Sequence, residues 1–325
     1  MTPKDSKSLF QLNEDVQMLV YGSIYILFSV SIFPLFFVLI KAIYLKNRES
    51  SNFTYTLMNV INFIQFGQVV THFTTGFALI FPVLHSKFNF FVNVMGSLFN
   101  GCWVGDFPVM VLLAVSRILI FTNLVELKNM PIVIKIWLFS MCSWTIFLII
   151  YGAYTQYFVF VTPGWDYDYS LQSLPFFETQ EIVISFTSLP LSYLAYTFMA
   201  YLIYKKKSIA GSGQSRKNET LILVQSTFVT VYLTILILIW HQAMFPFTNF
   251  IDMGNVKVQA VMNFSLILHC YVNPVLTLLC NTTIREECWK VLRKRAKPKK
   301  SISVSVATTR SKLSSNVLVA QSRIG

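Results

Sequence analysis

The sequence predicts an all-α membrane protein, a bundle of seven membrane-spanning helices followed by a short amphipathic eighth. Three observations carry this reading. Hydrophobic residues fill 54% of the 325 positions and charged residues only 12%, about half of the ~25% charged share of a soluble domain. Most of the chain therefore cannot face water. The apolar positions gather into seven runs, near residues 18–44, 54–81, 91–121, 132–153, 182–204, 220–248 and 257–280. Each exceeds the ~20 residues that cross a ~30 Å hydrocarbon layer. Finally, 22 of the 26 Lys and Arg residues fall in alternate connections and the tail.

With no water in the bilayer core, each span must satisfy its own backbone, so the spans are helices. Residues 1–17 are polar and of mixed charge. They form an extracellular N-terminus without a cleavable signal, because the first apolar run is too long for one. It is expected to act as an uncleaved signal anchor. The inner side then collects Lys41, Lys46 and Arg48, next Arg117, Lys128 and Lys135, then Lys205, Lys206, Lys207, Arg216 and Lys217, and the tail. Only Lys4, Lys7, Lys87 and Lys257 stay outside. This bias sets orientation. The acids Asp166, Asp168, Glu178 and Glu181 fall in one outer loop. The net charge of +12 is thus a membrane feature, and no basic stripe interleaved with aromatics points to nucleic acid. The triplets at Asn52, Asn218 and Asn281 fall inside and the one at Asn263 within a helix, so none is expected to be glycosylated.

Helix three contains "NGCWVGDFP", residues 100–108. Gly101 and Gly105 make a small face for close helix packing. Asp106 is the single carboxylate in any predicted helix core, which marks it as functional by default; a structural acid held neutral by its neighbours is the plainer reading. By the rise of ~1.5 Å per residue it lies ~16 Å above Arg117, His269 lies ~18 Å above Asn281, and Asn62 lies ~14 Å above Phe53. All three share one layer, with Asn273 a turn below. His269 is the expected partner of Asp106, Pro274 bends helix seven, and Asn273 can rebind the backbone groups this frees. Arg117 either snorkels to the interface or faces the floor of the bundle. Ser226 and Thr230 are the hydrogen-bonding groups expected at the inner end of helix six, placed by spacing from Pro246.

The eighth element, residues 282–295, sets Ile284, Cys288, Val291 and Leu292 on one helical face, with Arg285, Lys290, Arg293, Lys294 and Arg295 over much of the rest. It reads as a basic amphipathic helix on the bilayer surface, with Trp289 at headgroup level. Cys288 is a lipidation candidate or a plain thiol. Residues 296–325 are Ser/Thr/Lys-rich without periodicity and read as disordered. The five cysteines suggest neither a structural disulfide nor a metal site. No nucleophile elbow, phosphate loop or paired-carboxylate motif is present, so no enzyme and no cofactor are expected.

Seven helices, Asn273-Pro274 late in helix seven, Arg117 closing "LLAVSRILIF" and a basic eighth helix resemble a rhodopsin-like G-protein-coupled receptor. Helix two, "MNVINFIQF", resembles the receptor pattern with Asn62 in the slot usually held by aspartate. More narrowly, "NPVLTLLCNTTIREE" and "GCWVGDF" resemble nematode serpentine chemoreceptors, class T first and class X second. Departures are Thr277 for the usual tyrosine, Ser116 for the acid before Arg117, the missing outer cysteine pair, and helix one without its usual asparagine.

The resemblance implies a multi-pass plasma-membrane receptor, expected in sensory cilia. Arg117 would contact a heterotrimeric G protein, and Asp106, His269, Asn62, Asn273 and Pro274 would form its switch, with a sodium ion at Asp106 as an option. The ligand chamber should lie above that layer, with Phe99, Asn100 and Trp103 from helix three and Trp240, His241, Gln242 and Phe245 from helix six. Such a wall suits a small, mostly apolar odorant or pheromone-like molecule. The position where amine receptors place aspartate is Phe99, which argues against an amine. Two alternatives weigh less. A transporter or channel should show repeated halves with matching broken helices, and a retinal protein needs a lysine deeper in helix seven than Lys257.

Overall fold

A computed structural model describes residues 8–206, 213–248 and 250–296. Residues 1–291 form one compact unit. Of the second unit, 292–325, only the last residues of a helix are described. Lys4, Lys7, Lys207 and the tail beyond Ala296 lie outside the described residues.

The helices are α1 Val16–Ser50, α2 Phe53–Ile80, the short α3 Pro82–Lys87, α4 Asn89–Phe121, α5 Ile132–Thr155, α6 Leu174–Lys206, α7 Gly213–Trp240, α8 Val256–Cys280 and α9 Thr282–Ala296. A two-stranded antiparallel hairpin, β1 Phe158–Val161 and β2 Gly164–Tyr167, lies between α5 and α6. The seven predicted spans are α1, α2, α4, α5, α6, α7 and α8. Six of them are long and apolar enough to cross a membrane. The seventh, α2, lacks Asp, Glu, Lys and Arg but carries Asn62, Gln65, Gln68, Thr71, His72 and Thr75, all buried. Its polarity faces the bundle, which lowers its hydropathy without exposing polar groups to lipid. The opposite case is α5, which shows lipid a row of exposed Ile132, Val133, Ile136 and Phe139.

Side-chain oxygens cap four of the described helix starts: Asp15 accepts from the Gln17 N–H, Asn52 from Thr54, Asn255 from Lys257 and Asn281 from Ile284, supplying acceptors for otherwise orphan donors. Small residues set the closest helix approaches. A Cβ on Gly22 would stand 2.8 Å from the Gly76 carbonyl oxygen, so the backbones of α1 and α2 touch there. A Cβ on Gly101 would meet Ile149 at 2.6 Å, and Gly105 faces Thr145. The predicted small face of helix three therefore packs on α5.

Two boundaries correct the sequence reading. The fifth span begins at Leu174, eight residues before the expected 182. Its first turns are amphipathic: Leu174, Phe177, Gln180 and Glu181 are buried at helical spacing. Glu178 and Glu181 belong to α6, not to the outer loop. The sixth span ends at Trp240, not 248. A proline at 246 cannot supply the amide a continuing helix needs and disfavours helical geometry before it. The chain tightens into i→i−3 turns, with Met244 N–H donating to the His241 carbonyl and Phe245 N–H to Gln242, both at 2.9 Å.

The hairpin was not foreseen. It lies across one end of the bundle with Phe158, Trp165 and Tyr167 turned inward. The Trp165 indole N–H donates to Thr75 Oγ1 of α2 at 2.7 Å. A Cβ on Gly96 of α4 would sit 2.6 Å from both the Phe158 carbonyl oxygen and the Trp165 ring, so only a glycine admits the hairpin this deeply. At the opposite, basic end, α9 buries Ile284, Cys288 and Val291 against Leu39, Ala42, Ile43 and Met58, while Trp289 is exposed. The Cys288 thiol therefore faces the bundle, and burial pushes it up to about 11. That orientation disfavours the lipid anchor considered for it.

Candidate functional site

Two buried carboxylates organise the interior. Asp106 of α4 and His269 of α8 are both fully buried, and His269 Nε2 lies 3.0 Å from Asp106 Oδ2. The expected partnership forms. The residue of α2 that joins them is Gln65, a turn beyond Asn62: its amide donates to Asp106 Oδ2 at 3.2 Å. Asn273 donates to Gln65 Oε1 at 3.3 Å, and Gln225 of α7 donates to Asn273 Oδ1 at 3.3 Å and to Thr277 at 2.9 Å. Pro274 is buried within α8 beside this chain. Asn62 is buried in α2, but its Oδ1 has no hydrogen-bond partner. The Asp106 carboxylate leaves one oxygen, Oδ1, without a partner, and His269 leaves Nδ1. A single open oxygen beside imidazole and amide nitrogens is a poor sodium site. Among the described residues no group of three or more His, Cys, Asp and Glu side chains gathers that could hold a metal ion.

Glu181 is the second carboxylate, only 1% exposed. The Trp103 indole N–H donates to its Oε1 at 2.9 Å, Asn100 donates to Oε2 at 3.4 Å, and the Tyr167 hydroxyl also donates to Oε2. Burial and the Glu181 charge push the Tyr167 hydroxyl far above its ordinary range, which keeps it a donor. Tyr157 completes the cluster by donating to Asn100 Oδ1 at 2.6 Å. His241 approaches Glu181 at 3.7 Å. Several donors meeting one charge is the usual way a buried carboxylate is tolerated. Glu181 was missed because its stretch reads as loop. Its available signal was the run "FFETQEIVIS", where Phe177, Glu181 and Ile184 share one helical face.

Above this cluster the hairpin, α6, α7 and α8 enclose a cleft of about 240 Å³. Trp240, His241 and Gln242 line it. Phe99, Asn100 and Trp103 instead bound a small void of about 10 Å³ beneath the hairpin, with Trp240 forming a wall of both. Phe99 packs edge-on against His72 and stacks on Phe158. Phe245 packs on Phe186 with ring centroids 5.4 Å apart and borders neither space. Nor is the wall mostly apolar: Asp166, Glu178, Gln259 and Asn263 stand beside Trp165, Met253 and Met262.

At the basic end, Arg117 Nη1 donates to Ser226 Oγ at 3.3 Å and to the Ile222 carbonyl at 3.5 Å, both on α7. Ser116 turns its hydroxyl onto the Leu113 carbonyl at 2.7 Å. Arg117 also lines a cavity of about 290 Å³ together with Asn52, Tyr55, Phe121, Cys280 and Asn281.

Seven long helices, a proline-bearing seventh span and an arginine at the basic end of the third, followed by a packed amphipathic helix, define a receptor of the G-protein-coupled type. The chain belongs to the family described as serpentine type 7TM GPCR chemoreceptor Srt, whose model matches residues 6–301. No curated protein matches the chain. Membership makes it a multi-pass membrane protein with a chemosensory receptor role. The family is one of receptors rather than enzymes, with small-molecule ligands and G proteins as its general partners.

Proposed function

We propose that the chain is a plasma-membrane chemoreceptor with its N-terminus outside, expected in sensory cilia. It takes up a small molecule in the cleft under the hairpin and signals through a heterotrimeric G protein docked at the Arg117 cavity. One observation carries this reading: two buried polar clusters lie between cavities at opposite ends of the bundle, bridged by the Trp103 ring. Tyr167 and His241 meet Glu181, which holds Trp103. The Trp103 ring lies edge-on to His269 at 6.0 Å; His269 meets Asp106, and hydrogen bonds then pass from Asp106 to Gln65, to Asn273 and to Gln225. The next residue, Ser226, bonds Arg117. Asp106 and His269 act as the switch, because a buried pair has discrete made and broken states rather than a continuum. The Ser226 hydroxyl accepts a hydrogen bond from the Arg117 guanidinium, and this contact helps to hold the resting state.

The test is ligand-independent coupling in cells that express the receptor. Arg117→Ala should abolish G-protein activation while surface expression persists. His241→Ala or Phe99→Ala should preserve basal coupling and shift the potency of any agonist. Coupling that survives Arg117→Ala overturns the assignment.

A further inference from the structure

Resting on the reading that the cleft under the hairpin receives the ligand, we propose that this ligand is an organic cation, a protonated amine with at least one N–H. Asp166 of β2 and Glu178 of α6 both line the cleft, and neither Lys nor Arg is among its lining residues. The aromatic side chains of Trp165, Tyr169 and Trp240 form part of the same wall, and acids combined with aromatic faces attract an ammonium group by charge and by cation–π contact. Asp166 has no basic partner among the described residues, and burial raises it above the ordinary carboxylate range, a penalty that a bound cation relieves.

His241 is an independent sign. It lines the cleft, is only 6% exposed, and its Nε2 has no hydrogen-bond partner. That nitrogen lies 3.7 Å from Glu181 Oε1, too long for a hydrogen bond, so the cleft wall holds a buried polar side chain whose hydrogen-bonding capacity is not used up. The Gln242 Oε1 in the same wall is a buried acceptor without a partner. The acid that amine receptors carry on helix three is replaced by Phe99, so here the cation is met from the hairpin and α6. The sequence expectation of a mostly apolar ligand gives way for that reason.

The test uses purified full-length receptor in detergent and reads ligand-induced shifts of the melting temperature, which need no signalling partner. The probes are n-butylamine to n-decylamine and 2-phenylethylamine, each against its alcohol of equal length, at pH 7 and constant ionic strength. The amines should stabilise more than their alcohols. Asp166→Asn and Glu178→Gln should each weaken amine binding about fivefold to tenfold and leave the alcohols nearly unchanged. Glu14→Gln, at an exposed acid outside the cleft, should change neither. Amines that bind no better than alcohols, or that ignore both cleft substitutions, overturn the proposal. If amines and alcohols bind equally and Trp240→Ala weakens both, the chamber stands and its cation preference falls. If no probe binds, or Trp240→Ala is also inert, both fall.

Discussion

The Trp103 indole N–H donates to the Glu181 carboxylate at 2.9 Å, and the same ring lies edge-on to His269, the partner of Asp106. One side chain therefore touches both polar clusters. Trp103→Phe retains most of the ring and deletes one donor to a buried charge. The loss should destabilise the receptor by about 1–3 kcal/mol and shift basal signalling. Glu181→Gln, which keeps a polar acceptor without the charge, should cost less than Glu181→Ala. Unchanged melting and unchanged basal activity in Trp103→Phe would make the contact energetically silent.

Asp106 and His269 should be strongly coupled. Removing one partner of this buried hydrogen-bonded pair leaves the other unsatisfied, at a cost of about 1–3 kcal/mol, so Asp106→Ala and His269→Ala should each lower the melting temperature or the surface yield. Asp106→Asn with His269→Gln should recover part of the loss, since two amides can still bond. The double-mutant cycle reads the coupling directly. Additive losses would show two independent structural residues. Sodium should leave basal activity unchanged, because only one oxygen of Asp106 is open.

Ser226 should restrain Arg117. Ser226→Ala removes a hydrogen bond to a charged donor, a contribution of about 1.5 kcal/mol, equivalent to roughly tenfold in the resting-to-active ratio. Basal G-protein activation should rise accordingly, and it should vanish again in the double variant with Arg117→Ala. A fall in basal activity for Ser226→Ala alone contradicts a latch.

Orientation is open to direct labelling. An epitope tag at the N-terminus should stain intact cells, whereas one at the C-terminus should stain only after permeabilisation. Asn52 caps α2 through its side chain and sits at the basic end, so glycosidase treatment should not change mobility through it. The reverse staining pattern would sink the receptor reading.

The legible part of this molecule is what interrupts an apolar run. Asp106, His269 and Arg117 stand out because each is costly in hydrocarbon, and a rise of ~1.5 Å per residue sets their depth without any tertiary information. Gln65 was passed over because α2 carries several amides and hydroxyls at similar depth, and only the rotation of the helix selects one of them. Glu181 hid in a stretch polar enough to read as a loop, which the hairpin roofs over and so makes an interior. Pro246 falls within the predicted sixth span yet lies beyond the end of its helix, whereas Pro34, Pro108, Pro190 and Pro274 lie within helices. Position along the span, not residue type, separates them. The apolar face of α9 was legible as a face, but whether Cys288 met lipid or α1 depended on packing.

The buried polar residues of α2 have a consequence for biogenesis. A helix bearing several amides, a histidine and threonines partitions weakly into the bilayer when it emerges alone from the translocation machinery. Its natural shelter is α1, already inserted and strongly apolar, which it meets backbone to backbone at Gly22 and Gly76. The first helical hairpin should therefore enter the membrane as a unit, with the glycine contact setting whether the two helices can pair. A bulky residue at Gly22 would strand α2 before any receptor exists to bind a ligand, and the nascent chain would go to quality control rather than to the cell surface.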